Sequence, residues 1–252
     1  MIIDTHAHPD FCRLPLDTLV KNARDAGVER LVSVAVDVKT TRASVQHAQA
    51  YPEFIWPTAG IHPTYVPASD HALTQQLDEL EALIQAHAGL AIGECGLDFY
   101  RDSNPPDAQQ RRAFMTQLDL ACAYARPVII HSRAADEQML PILLDRRPRA
   151  VIHCFSSPWS VASALLDTPV LFSFTGMITY ASYNTESIKK LPLDRIMIET
   201  DAPYLTPQAY KGNPNQPAYV HAVCERIAAI KGLEYAQVAQ ATTATAYQFF
   251  NA

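Results

Sequence analysis

His6 and His8 stand one residue apart in MIIDTHAHPD, at the end of a short apolar run. Residues two apart on an extended strand point to the same face, so both imidazoles can reach one ion. With nine histidines in 252 residues, an HxH pair also arises by chance about once in a few such chains, so the pair alone says little. Other polar, metal-competent residues fall where further apolar runs stop: His62, Glu94, His131, His153 and Asp201. Imidazole and carboxylate together suit divalent ions such as Zn, Mn or Ni, and a glutamate with two oxygens can bridge two of them.

Each residue has a plainer reading to weigh. His131 and His153 end apolar strands with nothing else to explain a polar group there, which favours ligands over core histidines. Glu94, in IGECGLD, would be costly at a buried strand end without a partner, because a buried charge must be paired or metal-bound. Asp201, in IETDAPYL, reads the same way, although Glu199 and Asp98 are nearby carboxylates that could be mistaken for it. His62 is placed near the substrate, on the rim, rather than on a metal. His47, His71, His87 and His221 fall within predicted helices and are expected to be solvated.

These residues need a frame that brings distant strand ends together. Eight apolar runs read as strands: MIIDT, RLVSVAV, FIWPTAGI, LAIGEC, PVIIHS, AVIHCF, VLFSF and RIMIET. They are near-continuous and rich in Val and Ile, as parallel strands covered on both faces should be. Amphipathic segments alternate with them. One carries Leu73, Leu77, Leu80 and Ile84 and stops before Gly89; another starts at Asp107 and ends before Pro127. Two more follow the eighth strand, from near Pro217 to Gly232 and from about Glu234 to Phe250. The pattern predicts a closed TIM (β/α)8 barrel, an α/β fold, as a single domain over residues 1–252. An open doubly wound sheet usually shows a Gly-rich turn after its first strand, and here that turn is HAHPD. In a barrel the strand ends converge on one rim, where this architecture builds its active sites.

Composition narrows the function. Hydrophobic residues make up 48% and charged residues 18%, an ordinary soluble globular balance. The formal charge of -6 provides no basic footprint for many phosphate contacts, so an anionic substrate would need a local source of positive charge. The chain opens on MIID without a charged leader, and no apolar run reaches a membrane-spanning length, which implies a cytoplasmic protein with no membrane association. The five cysteines are scattered without a CxxC pair and read as reduced packing residues. Nothing points to an obligate protein partner.

DTHAH, GIHP, GECGLDF, HSR, HCFS and ETDAPYL, in that order and over nearly the whole chain, resemble the TatD-like metal-dependent deoxyribonucleases of the amidohydrolase superfamily. The resemblance implies two divalent ions per chain, whether Zn, Mn, Mg or Ni. It makes His6, His8 and Asp201 ligands of one ion, His131 and His153 ligands of the other, and Glu94 the bridge. Many amidohydrolases bridge with a carboxylated lysine; here Glu94 stands at the matching strand end. Two positions depart from the family pattern. HCFSG reads HCFSS, with Ser157 for glycine, and Pro214 replaces an arginine ahead of Asn215 and Pro217, which would remove a phosphate contact.

The implied chemistry is hydrolysis of DNA phosphodiester bonds, in short or single-stranded DNA, by a water activated between two metals. Asp201 and Glu94 are the catalytic carboxylates, and His62, Arg133 and Tyr204 would hold the phosphate or sugar. The same cup could instead polarise the carbonyl of a small ester, lactone or amide. A non-catalytic barrel stabilised by metal and binding a partner is the third reading.

Overall fold

Eight parallel strands pair in sequence order: β1 (Ile2–Ala7), β2 (Val28–Ser33), β3 (Ile55–Ala59), β4 (Ala91–Asp98), β5 (Val128–Arg133), β6 (Ala150–Ile152), β7 (Leu171–Phe174) and β8 (Ile196–Ile198). The computed structural model describes residues 1–251, and Ala252, the last residue of the expected unit, lies outside them. A parallel bridge between Ala7 and Ala202 brings the last strand back to the first, so the sheet forms a nearly closed TIM barrel, as expected. Helices α1 (Leu16–Asp25), α2 (Val38–Ala50), α3 (Asp70–Ala86), α4 (Asp107–Ala123), α5 (Asp136–Arg146), α6 (Trp159–Ala164), α7 (Glu186–Lys190), α8 (Val220–Lys231) and α9 (Tyr235–Asn251) alternate with the strands or follow them.

Their ends follow local chemistry. Asp37 caps α2 with a reciprocal Thr40 pairing, and Ser69 caps α3. Gly232, at φ 66°, stops α8 in the left-handed conformation that glycine adopts without strain. Helix α9 sends Ala246 and Phe249 against Ile3, Val32, Ile129, Val151 and Met197, residues from five strands. A second, larger apolar cluster joins the strands to the surrounding helices.

Some expected boundaries move, and the shifts matter for the site. Glu94 was expected to end its strand, yet β4 continues to Asp98 because Leu97 and Asp98 still pair with Ser132 and Arg133 of β5. The pairing slips between Ile92 and Cys95, on either side of Glu94. Gly96, at φ 145°, permits this close approach: a Cβ there would lie 2.0 Å from the His131 carbonyl oxygen. Strand β6 stops at Ile152, so His153 lies just beyond it rather than in it, and Cys154 at φ 47° turns the chain away. His131 sits two residues inside the end of β5.

The barrel seam is held by a buried polar clamp. Asp4 of β1 accepts the Thr200 backbone N–H at 2.9 Å and the Thr200 hydroxyl at 2.6 Å. Thr5 donates to the Ile198 carbonyl at 3.0 Å, and the Asp201 N–H donates to the His6 carbonyl at 2.8 Å. Asp4 and Thr200 are both fully buried, so neither can turn to water if its partner is lost. Asp4→Ala is therefore expected to lower stability by about 2–4 kcal/mol, while Asp4→Asn, which keeps the shape and one acceptor, loses less. Urea unfolding of both variants checks this; equal losses would show that shape and one acceptor do not suffice and that both carboxylate oxygens are needed to hold the seam.

Candidate metal centre

The C-terminal strand ends surround one buried carboxylate. Glu94 is 2% exposed, and its two oxygens face different groups. Oε2 lies 3.3 Å from His6 Nε2 and 3.5 Å from His8 Nε2. Oε1 lies 2.7 Å from His153 Nε2, 2.9 Å from His131 Nδ1 and 3.4 Å from His62 Nε2. Asp201 joins the first group, with Oδ1 3.4 Å from His8 Nε2 and 3.7 Å from His6 Nε2.

These spacings test whether the residues suit a metal. Tetrahedral ligands about 2.0–2.2 Å from an ion stand about 3.3–3.6 Å from one another. His6, His8, Asp201 and Glu94 Oε2 match this closely, since the two imidazole nitrogens are 3.2 Å apart. On the other side His131 Nδ1 and His153 Nε2 are also 3.2 Å apart. The combinations His6–His8–Asp201, His6–Glu94–His153 and His62–Glu94–His131 each bring their donor atoms within 4.8 Å. The donor set fits divalent ions.

Hydrogen bonds on the outer side of each ring decide which nitrogen carries the proton. His8 Nδ1 lies 3.0 Å from the Val34 carbonyl, an acceptor, so Nδ1 holds the hydrogen and Nε2 turns a lone pair inward. His131 Nε2 lies 3.2 Å from Asp98 Oδ2, so in the neutral ring Nδ1 is the inward lone pair. His153 Nδ1 lies 3.3 Å from Glu199 Oε1, off the line of a full hydrogen bond but toward an acceptor. His6 Nδ1 is buried without a partner. His62 is arranged the opposite way. The Thr64 backbone N–H donates to its Nδ1 at 3.1 Å, so a neutral His62 carries its hydrogen on Nε2 and points a donor at the centre. This separates His62 from the inward lone pairs despite its proximity to Glu94.

Electrostatics follow the same plan. Burial alone pushes the Glu94 carboxyl up, yet His153, His62 and His6, with the His131 hydrogen bond, together hold it well below the usual carboxylate range. For Asp201, too, burial is opposed by His8, His6 and His153, and the result is a lowered carboxyl. Burial lowers His6, with His153 adding to the effect. His153 is driven well above the ordinary imidazole value; burial opposes this, but Glu94 and Glu199 prevail. Charge and counter-charge are packed into one water-poor cup.

Around this floor opens a cavity of about 620 Å³ lined by His62, Tyr65, Arg101, Arg133 and Tyr204 and, of the metal-competent residues, by all but His6. Arg133 and Tyr204 thus reach the cavity that sequence placed them near. Pro214 is exposed and does not line it, while Asn215 donates to the Thr200 carbonyl at 2.8 Å and to the Tyr204 carbonyl, bracing the Asp201 segment. Ser157 donates to Asp136 at 2.7 Å, at the start of α5. Of the histidines expected to be solvated, only His71 is exposed. His47 is half-buried against the Ser33 hydroxyl at 3.0 Å, His221 meets the Tyr210 hydroxyl at 2.9 Å, and His87 sits half-buried at the end of α3. Sequence reasoning missed Tyr65 and the role of Asp98, which was visible only as a carboxylate near Glu94.

A barrel whose C-terminal rim gathers imidazoles and carboxylates around one buried glutamate belongs to the metal-dependent hydrolases. The family described as TatD related DNase matches residues 3–251, and the chain belongs to that family. A Bacillus subtilis protein named as an uncharacterized metal-dependent hydrolase, YabD, is 35% identical over 257 residues, covering 99% of each chain. A Salmonella typhimurium protein named 3'-5' ssDNA/RNA exonuclease TatD is 34% identical over 248 residues, covering 93% of this chain and 92% of its own. The crystal structure of YjjV, a TatD homolog from Escherichia coli, superposes with a TM-score of 0.92 at 28% identity, over 100% of this chain and 98% of that one. The protein is accordingly a metal-dependent hydrolase of the TatD family.

The outer carboxylate on His131 generates a test. Asp98 is itself held by the Tyr100 N–H at 3.0 Å and the Asn104 amide at 2.9 Å. Asp98→Asn is expected to lower affinity for a divalent ion held by His131 about 10- to 100-fold, measured by chelator competition. Unchanged affinity would contradict the placement.

Proposed function

We propose that the chain hydrolyses phosphodiester bonds in single-stranded nucleic acid, holding two divalent ions between His6, His8 and Asp201 on one side and His131 and His153 on the other. The observation that carries this reading is the division of Glu94, with Oε2 toward one nitrogen pair and Oε1 toward the other. Such ions, when bound, offset charge on a phosphoryl oxygen and bring water toward ionisation near neutral pH. The chain's net charge of -6 otherwise offers little to attract a phosphate. The relatives named as ssDNA/RNA exonucleases support the choice of substrate.

The chain's own residues then take separable roles. Glu94 divides one negative charge between two ligand sets. The histidine contacts of Asp201 fall on Oδ1, which leaves Oδ2 to orient a water and accept its proton. Its backbone, at φ 56°, is held by the His6 carbonyl and in turn holds the Tyr204 N–H at 2.9 Å, so the carboxylate is fixed in direction. His62 presents Nε2–H as a donor to a phosphate oxygen. Arg133 stands on the cavity wall to hold the phosphate of the strand, and Tyr204 to hold the nucleoside attached to it.

The test uses purified protein with Mg, Mn or Zn added, end-labelled single- and double-stranded DNA, single-stranded RNA, and a panel of esters and lactones. Metal-dependent shortening of single strands, abolished by chelator and reduced about 100-fold or more in Asp201→Asn, is the expected result. Turnover of a lactone or ester with no strand cleavage under any metal would overturn the reading.

A further inference from the structure

The rim above Glu94 carries flat apolar rings that the chemistry at its floor does not use. Tyr65 and Tyr204 both line the cavity, and 46% and 52% of their surfaces are exposed. Tyr100, 60% exposed, packs on a wall residue: the Arg133 guanidinium carbon sits 3.9 Å from the centre of its ring, and Arg133 lines the cavity. A single exposed aromatic side chain needs no explanation. Seven large hydrophobic side chains are exposed among the described residues; two line this one cavity, a third stacks on its wall, and none of the other four lines it.

Their placement is specific. Tyr65 stands nearly edge-on to His62, with ring centres 6.2 Å apart at 84°, and its N–H donates to the His62 carbonyl at 2.8 Å. Tyr204 stands edge-on to His8, with ring centres 6.2 Å apart at 65°, and its N–H is fixed by Asp201. His62 flanks one oxygen of Glu94 and His8 the other, so the two tyrosines rise from opposite sides of the floor. Each leaves about half its surface to a ligand while its backbone is anchored to a residue of the metal centre.

Charge indicates what that ligand is. A chain of net charge -6 cannot draw affinity for nucleic acid from many phosphate contacts. Stacking of a base on an aromatic face supplies affinity without positive charge, and every base has such a face whatever the sequence. In a duplex both faces of a base are already covered by its neighbours. A cavity of about 620 Å³ lies in the range of small-ligand sites and far below the bulk of a double helix.

We infer that Tyr65 and Tyr204 form a subsite in which one unpaired nucleobase stacks beside the phosphate under attack, with the Arg133–Tyr100 pair as a platform for the neighbouring nucleotide. The inference rests on the nucleic-acid reading above and adds the residues that select an unpaired strand. Stacking here is a binding contribution, so its loss raises KM more than it lowers kcat.

The experiment measures kcat/KM of the metal-loaded wild type and variants on single-stranded oligonucleotides, intact or with one abasic residue stepped along the positions next to the scissile bond. In the wild type, the abasic residue at the stacked position is expected to lower kcat/KM about 5- to 150-fold. Tyr65→Ala and Tyr204→Ala should lose a similar factor on the intact strand and little more on the abasic one, because the same interaction is removed twice. Tyr65→Phe, which keeps the ring, should retain most of the activity. Intact and abasic strands cut equally fast by the wild type, or losses that multiply in the variants, would overturn the subsite while leaving the nuclease reading in place. A wild type that cuts no strand would overturn that reading, and the subsite with it.

Discussion

A carboxylate at 2% exposure, ringed by five imidazoles, is the constraint on which the structure turns. Removing such a group from water costs several kcal/mol, and no single neutral neighbour offsets that. Glu94 is tolerated because positive charge, from protonated imidazole or from metal, can reach both of its oxygens. The requirement reaches into the backbone: Gly96 lets β4 approach β5 closely enough for His131 to meet Oε1. It reaches across the seam as well, because Asp201 arrives only when Thr200 is locked onto Asp4. The contacts that close the barrel therefore also position Asp201, and bound metal should stabilise the fold.

The outer hydrogen bonds make the cluster more than a crowd of polar groups. Val34, Asp98 and Glu199 each present an acceptor to the far side of a histidine, which turns the opposite nitrogen inward as a lone pair. Thr64 presents a donor instead and so gives His62 the reverse polarity. One ring type therefore serves two purposes within a few ångströms, and backbone and carboxylate neighbours make the difference.

Much of this was legible in the sequence, for a physical reason. Parallel strands covered on both faces are apolar, so a His or Asp at the end of such a run stands out, as His6, His8, His131, His153 and Asp201 did. Length and alternation gave the barrel. Less legible were features set by three-dimensional approach. The sequence placed Glu94 at a strand end, whereas the pairing of Leu97 and Asp98 with β5 puts it mid-strand beside a slip in register, which depends on how closely the two strands approach. The protonation sense of His62 depends on a neighbouring N–H that no residue type announces. Tyr65 lies in a short turn after GIHP with no periodicity to mark it, and its meaning comes from Tyr204, distant in sequence. His47 read as solvated because helical position cannot show that Ser33 waits beneath it.

The central claim is that the two oxygens of Glu94 serve two ions. Anomalous diffraction from crystals grown with Mn or Zn tests it most directly. The account predicts two peaks, one within bonding distance of Glu94 Oε2, His6, His8 and Asp201, the other of Glu94 Oε1, His131 and His153. A single peak at full metal occupancy, or a pair in which Glu94 touches only one ion, would contradict it.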